Sequence, residues 1–160
     1  MPEIYKSTRH SKITGDFAEG LVMYWLSKHG FETARVDHTG IDLISKNPIT
    51  KELMGISVKS RSRSPGTEKE YLGISNDNFE KVENACEAFG CVPYFALVID
   101  TKDNIIVFIL SQFKLLKLFP KGKNNLMWKM RDQNIKEYKL DKEIISFEFK
   151  YETNNWWNKD

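Results

Sequence analysis

Between residues 15 and 29 apolar side chains return every four positions, at Phe17, Leu21 and Trp25, with Ala18, Val22 and Leu26 forming the adjacent row. Residues four apart share one face of an α-helix, so this spacing predicts an amphipathic helix laid against a core. Thr14 stands where a hydroxyl caps a first turn, and Gly30 where a left-handed residue closes a last one. Residues up to about Lys12 are polar and basic without a period and read as a loose arm. After the helix the pattern shortens to three strand-like stretches, 31–36, 41–46 and 53–61. The last two flank a turn that opens with Asn47-Pro48, so they are expected to pair as an antiparallel hairpin. Residues 62–69 hold turn formers and no core residue, and read as a mobile loop.

The second half repeats the alternation of helix and strand. Phe79, Val82, Ala85, Cys86 and Phe89 lie on one stripe of a helix over 77–89, with Asn76 or Asp77 as cap and Gly90 as terminator. Residues 93–99 and 105–110 are continuous apolar runs, as expected of strands covered on both faces at the centre of a sheet. A short helix over 111–119 follows. An edge strand over 144–151 then alternates Ile145, Phe147 and Phe149 inward against Ser146, Glu148 and Lys150 outward. With no internal repeat and no linker, residues 1–160 are expected to form a single domain, with 1–12 a flexible basic arm and 152–160 a tail.

Composition narrows the class without naming a chemistry. At 41% hydrophobic and 29% charged residues the balance is globular, and no apolar run nears the ~20 residues a membrane-spanning helix needs. The N-terminus opens with charge and lacks a secretory pattern, so the expected location is cytoplasmic, with no membrane partner. Cys86 and Cys91 lie five apart in a helical stretch, an offset that points side chains in different directions. Two buried reduced thiols are therefore expected, not a disulfide or a zinc site. A net charge of +2 is nearly neutral, so any nucleic-acid partner has to be argued from local charge.

The candidate chemistry lies in the hairpin. Asp42 interrupts Gly40-Ile41-Asp42-Leu43-Ile44, and a carboxylate among aliphatics must be paired, hydrogen-bonded or bound to a cation. If the turn is centred near residues 49–51, the partner of Asp42 falls at about 57–59, with Ser57 and Lys59 sharing one face. Asp42 and Lys59 then meet, either as a plain ion pair on a half-exposed strand or as part of a site.

With these residues in place, the chain resembles the PD-(D/E)xK nuclease superfamily, closest to its Holliday-junction-resolvase and Mrr-like restriction branches. The likeness rests on Gly15-Asp16-Phe17-Ala18-Glu19 in a helix, then Gly40-Ile41-Asp42-Leu43-Ile44, then Ile56-Ser57-Val58-Lys59. It implies a restriction-endonuclease-like α/β fold, a mixed sheet flanked by helices in the order α-β-β-β-α-β-β with a C-terminal extension. It also implies a metal-dependent DNA endonuclease hydrolysing phosphodiester bonds, with Mg²⁺ or Mn²⁺ as cofactor and a homodimer as a possible assembly. By the same resemblance Asp42 and Glu19, with the Val58 carbonyl, would hold metal, while Lys59 would assist attack. Where the family has Glu or Asp, and Gln in some branches, this chain has Ser57, a neutral ligand. That departure motivates a second expectation, a nuclease-fold protein that binds nucleic acid or a partner protein without cleaving it.

His38 lies in the loop leading to Asp42 and is expected beside the site. For DNA contacts the expected residues are Arg61, Arg63, Lys12, Lys121 and Lys123. The last two fall in a stretch, 111–131, that carries Lys114, Lys117, Lys129 and Arg131 as well and no acid. Trp128 and the pair Trp156-Trp157 are expected to pack on the body rather than stack on bases.

Overall fold

A computed structural model describes residues 5–64, 66, 67 and 69–154. In chain order the elements are α1 (His10–Lys28), β1 (Glu32–Arg35), β2 (Leu43–Lys46), β3 (Leu53–Ser62), β4 (Leu72–Ser75) and α2 (Asn76–Phe89). They continue with β5 (Val92–Asp100), β6 (Asn104–Ser111), α3 (Gln112–Leu118), β7 (Asn125–Trp128), α4 (Asp132–Leu140) and β8 (Ile145–Lys150). Six strands form one sheet in the order β1-β2-β3-β5-β6-β8. Only β3 and β5 are parallel, joined through α2, and every other pair in it is antiparallel. The sheet is therefore mixed, with the anticipated element order at its centre.

The continuous apolar run of β5 is explained by its position. Phe95, Leu97 and Ile99 point to the face covered by α2, where Phe79, Val82 and Ala85 meet them. Ala96 and Val98 point to the face covered by α1, through Ala18, Leu21, Val22 and Leu26. Each fully buried side chain of this size contributes about 1.5–3 kcal/mol, so the sheet centre is the mechanical base on which the strand ends are held.

Several expectations are corrected by packing. The first helix begins at His10, not after Lys12, and Thr14 is not its cap. Thr14 is buried inside the helix, its hydroxyl donating to the His10 carbonyl at 2.8 Å. The arm before it is docked rather than loose, since Lys6 Nζ donates to Ser62 Oγ at 2.6 Å and to the Arg63 carbonyl. Phe17 lies on the exposed edge of α1. The N-cap of α2 is Ser75, and Phe89 is exposed at the other end of that helix. Cys86 is buried and Cys91 only partly so, both as free thiols.

Three elements have no counterpart in the sequence reading: α4 and the two-stranded ribbon of β4 and β7. Trp128 of β7 is fully buried, stacked on Tyr138 of α4 with ring centroids 4.0 Å apart, so its expected packing role holds. The Trp156-Trp157 pair lies outside the described residues. Edge strand β8 is found as expected, although Phe149 at its end is exposed.

Candidate functional site

The last pairing of β2 with β3 sets Leu43 opposite Ile56. Carried one residue outward, that register puts Asp42 opposite Ser57, the near end of the expected range. Along β3 the backbone groups of residues 56 and 58 turn toward β2, because alternate residues address the same neighbour. At Ile56 the carbonyl still finds a strand, accepting from Asp42 N at 2.8 Å. At Val58 the strand has ended, and the Asp42 side chain takes over as partner, its Oδ2 accepting from Val58 N at 2.7 Å. The carboxylate is thereby tied to the open end of the hairpin through one oxygen. The carbonyl of Val58 leaves the same strand edge beside it.

The approach to Asp42 depends on Gly40. Its φ is +107°, a backbone conformation that L side chains rarely adopt. A Cβ there would overlap the Lys81 carbonyl in the backbone of α2. Glycine lets the loop lie against the helix and deliver buried Ile41, and with it Asp42, to the strand end.

On β3 the side chains of Ser57, Lys59 and Arg61 share with position 55 the face toward α2, as the closeness of Gly55 to Cys86 demonstrates. Ser57 is buried at 2% exposure. Among the described residues no ion pair joins Lys59 to Asp42, so the plain salt-bridge alternative is not what forms; Lys59 Nζ donates to Asn78 Oδ1 of α2 at 2.9 Å. Burial pushes the Lys59 ammonium below the ordinary lysine range; the Asp42 charge pulls it back up and Lys81 lowers it further.

Glu19 arrives from α1 on the other side of the strand end. Burial lifts its pKa above the usual carboxylate value, and the charge on Asp42 lifts it further; Arg35 opposes this, while Asp16 adds to it. The Arg35 guanidinium stands 4.0 Å from Glu19 Oε2. Two acids thus repel across the hairpin's open end with one arginine beside them. No group of three or more His, Cys, Asp or Glu side chains suited to a metal ion occurs among the described residues.

The other expected residues divide. Lys121 and Lys123 are exposed on a loop stapled to the start of α2, where Asn76 Nδ2 donates to the Gly122 and Lys123 carbonyls. Lys121 Nζ stands 4.8 Å from the ring centroid of Phe79, next to Asn78 in the helix. Arg61 is exposed two residues beyond Lys59 on the same face of the strand. Arg63 is a correction: it is buried at 4% exposure, with Nη2 donating to the Glu70 and Tyr71 carbonyls at 3.1 and 2.6 Å. It clamps the loop after β3 and does not offer its guanidinium to a phosphate. Lys12 is exposed and lies 4.0 Å from Asp16 along α1. His38 is exposed, held edge-on against Phe89 at the far end of α2 with its Nδ1 on the Thr39 carbonyl. Lys114 is paired with Asp141 and Glu143, which removes it from the basic run.

Asn78, Lys81 and Arg35 were not singled out from the sequence. Polar residues on a helix surface carry no local mark of function, and only the crossover between β3 and β5 brings Asn78 to Lys59.

No family model matches the chain, and no curated protein matches it. Among solved structures, Hjc of Archaeoglobus fulgidus, a Holliday junction resolvase from an archaeal hyperthermophile, is similar to it with a TM-score of 0.54. The identity is 20%, and the match covers 75% of this chain and 90% of the other. At that identity the likeness establishes the fold: a restriction-endonuclease-like mixed sheet flanked by helices. No helix among the described residues is long and apolar enough to cross a membrane.

Proposed function

We propose that the chain is a metal-dependent DNA endonuclease whose active site is the open end of the β2–β3 hairpin. The observation that carries this reading is the meeting of Asp42 with two electrostatically disfavoured groups, Glu19 and Lys59, at one strand end. Asp42 is bound through one oxygen to Val58 N–H, Glu19 is raised by burial and then by the charge of Asp42, and Lys59 is lowered by burial. Structural ion pairs settle such charges by matching them, whereas sites that await a ligand leave them opposed.

The donor set fits a hard cation. Two carboxylates and the Val58 carbonyl offer oxygen ligands of the kind Mg²⁺ and Mn²⁺ accept, with water and substrate oxygens free to complete the shell. A cation there would relieve the repulsion that raises Glu19. When bound it would supply positive charge against a phosphodiester and lower the pKa of a bound water. Asn78 orients the Lys59 ammonium, and because Lys59 is partly buried its charge acts on a phosphate more strongly than an exposed lysine would. Arg61, Lys121 and Lys123 supply exposed positive charge around the same helix start for backbone contacts. The similarity to a Holliday junction resolvase makes branched DNA the first substrate to try.

A second reading, nucleic-acid binding without cleavage, is favoured by Ser57, which leaves only two acids at the site. One assay separates the two. Plasmid, linear and four-way-junction DNA are incubated with the protein in Mg²⁺ or Mn²⁺, alongside Asp42→Ala and Lys59→Met. The endonuclease reading expects cleavage that falls about 10²-fold or more in each variant. Salt-sensitive binding with no cleavage by the unmodified chain would establish the second reading instead.

A further inference from the structure

The spacing of Cys86 and Cys91 points their side chains apart only if the helix continues, and it does not. Helix α2 ends at Phe89, and Gly90 adopts the left-handed conformation with φ +66°. Cys91 N then donates to the Cys86 carbonyl at 2.8 Å and Gly90 N to the Glu87 carbonyl at 3.4 Å. These two bonds define a Schellman closure, in which the residue after the left-handed one folds back onto the helix position five before it. Here both of those positions are cysteines. Their proximity has an independent witness on β3. The point that a side chain on Gly55 would occupy is 2.5 Å from Cys86 Sγ and 3.1 Å from Cys91 Cβ.

We propose that Cys86 and Cys91 form an oxidation-sensitive dithiol that closes to an intramolecular disulfide, tying the end of α2 to the start of β5. Cys86 Sγ now faces the Gly55 carbonyl and Cys91 Sγ the Phe89 carbonyl, each at 3.7 Å, so closure needs both side chains to rotate toward one another over Gly55, where no side chain intervenes. Entry is through Cys91, which is partly exposed while Cys86 is 1% exposed. With hydrogen peroxide as oxidant, the Cys91 thiolate attacks one peroxide oxygen, giving a sulfenic acid and water. The Cys86 thiolate then attacks that sulfur and expels hydroxide, which leaves as a second water with the thiol protons. Two thiols lose two electrons and the peroxide gains them.

Burial pushes the Cys86 thiol up to about 11, with Cys91 adding to the rise, and burial raises Cys91 as well. The pair thus closes slowly near neutrality and faster as the pH rises, the thiolate fraction growing about tenfold per pH unit below the thiol pKa. The bond sits against β3 two residues before Ser57, yet the proposal does not depend on the nuclease reading.

Trypsin offers a direct test on the full chain, because no Lys or Arg lies between Lys81 and Lys102 and one peptide carries both cysteines. After peroxide treatment and alkylation without reductant, peptide 82–102 should lack two hydrogens and take up no alkylating label, faster at alkaline pH. Cys91→Ser, at the more exposed position, should abolish the mass change and leave Cys86 open to label after denaturation. Three results would overturn the proposal: two labelled cysteines after peroxide, Cys91 carried on to sulfinic acid beside a free Cys86, or disulfides only between chains.

Discussion

At its closed end the β2–β3 hairpin turns through residues that satisfy one another: Asn47 Oδ1 accepts from Ile49 N and Thr50 N, and the Asn47 carbonyl accepts from Lys51 N. At its open end the same two strands release Asp42, Ser57 and Lys59 beside Glu19, and there the charges oppose burial and one another. The closed end closes its turn within residues 47–51 and draws on the rest of the sheet through Glu52, which accepts from the Tyr94 hydroxyl of β5. The open end draws on α1, β1 and α2, and Arg35 beside Glu19 and Asp42 beside Lys59 offset only part of its electrostatic cost. On the endonuclease proposal, such a cost persists because a bound cation and phosphate would offset it.

The largest expected effect comes from unseating the open end. Gly40→Ala places a Cβ against the α2 backbone in a left-handed conformation, two penalties of about 1–3 kcal/mol each. We expect urea unfolding to show a loss of roughly 3 kcal/mol. A loss below about 1 kcal/mol would mean that the Asp42 loop is not pinned to α2, and the contrast between the two ends would lose its structural basis.

Next in size is the response to a cation. Folding raises the Glu19 pKa, so its contribution favours the folded state below the ordinary glutamate value and disappears as the pH rises through the raised one. At neutral pH the ionised group opposes folding. Without metal, Glu19→Gln should therefore melt above the unmodified chain at neutral pH, and the gap should close as the solution is acidified. Saturating Mn²⁺ should reverse the order, stabilising the unmodified chain by up to about 2.7 kcal/mol at a hundredfold excess over Kd. Equal shifts in both proteins would sever Glu19 from the cation site.

What the sequence disclosed follows the same division. The periods of α1 and α2 and the apolar runs of β5 and β6 are local patterns repeated over many residues, and they placed the sheet centre within a residue or two. The Gly40–Ile44 stretch marked Asp42 because a carboxylate among aliphatics stands out in any context. Asn78 and Arg35 could not be marked that way, since their roles arise from crossings between elements distant in sequence. Strands β4 and β7 are four residues each and pair across fifty positions or more, too short for a period to declare itself. Arg63 shows the converse: a basic residue in a loop-like stretch reads as a phosphate contact, while the backbone carbonyls of Glu70 and Tyr71 take up its guanidinium.

The smallest effect sharpens the comparison from the closed end. Lys51 holds φ +64° in the turn, a conformation that costs an L residue about 1–2 kcal/mol. Its Nζ donates to the exposed Pro48 carbonyl at 2.8 Å, a contact that contributes little in water. Lys51→Gly removes the steric penalty, and the extra freedom of glycine in the unfolded chain returns about 0.5–1 kcal/mol of it. A net gain of about 0.5 kcal/mol in urea unfolding is expected, with metal response and any DNA cleavage unchanged. Should this turn substitution alter either activity, the strain at Lys51 would be coupled through β3 to Lys59, and the two ends would have to be treated as one device.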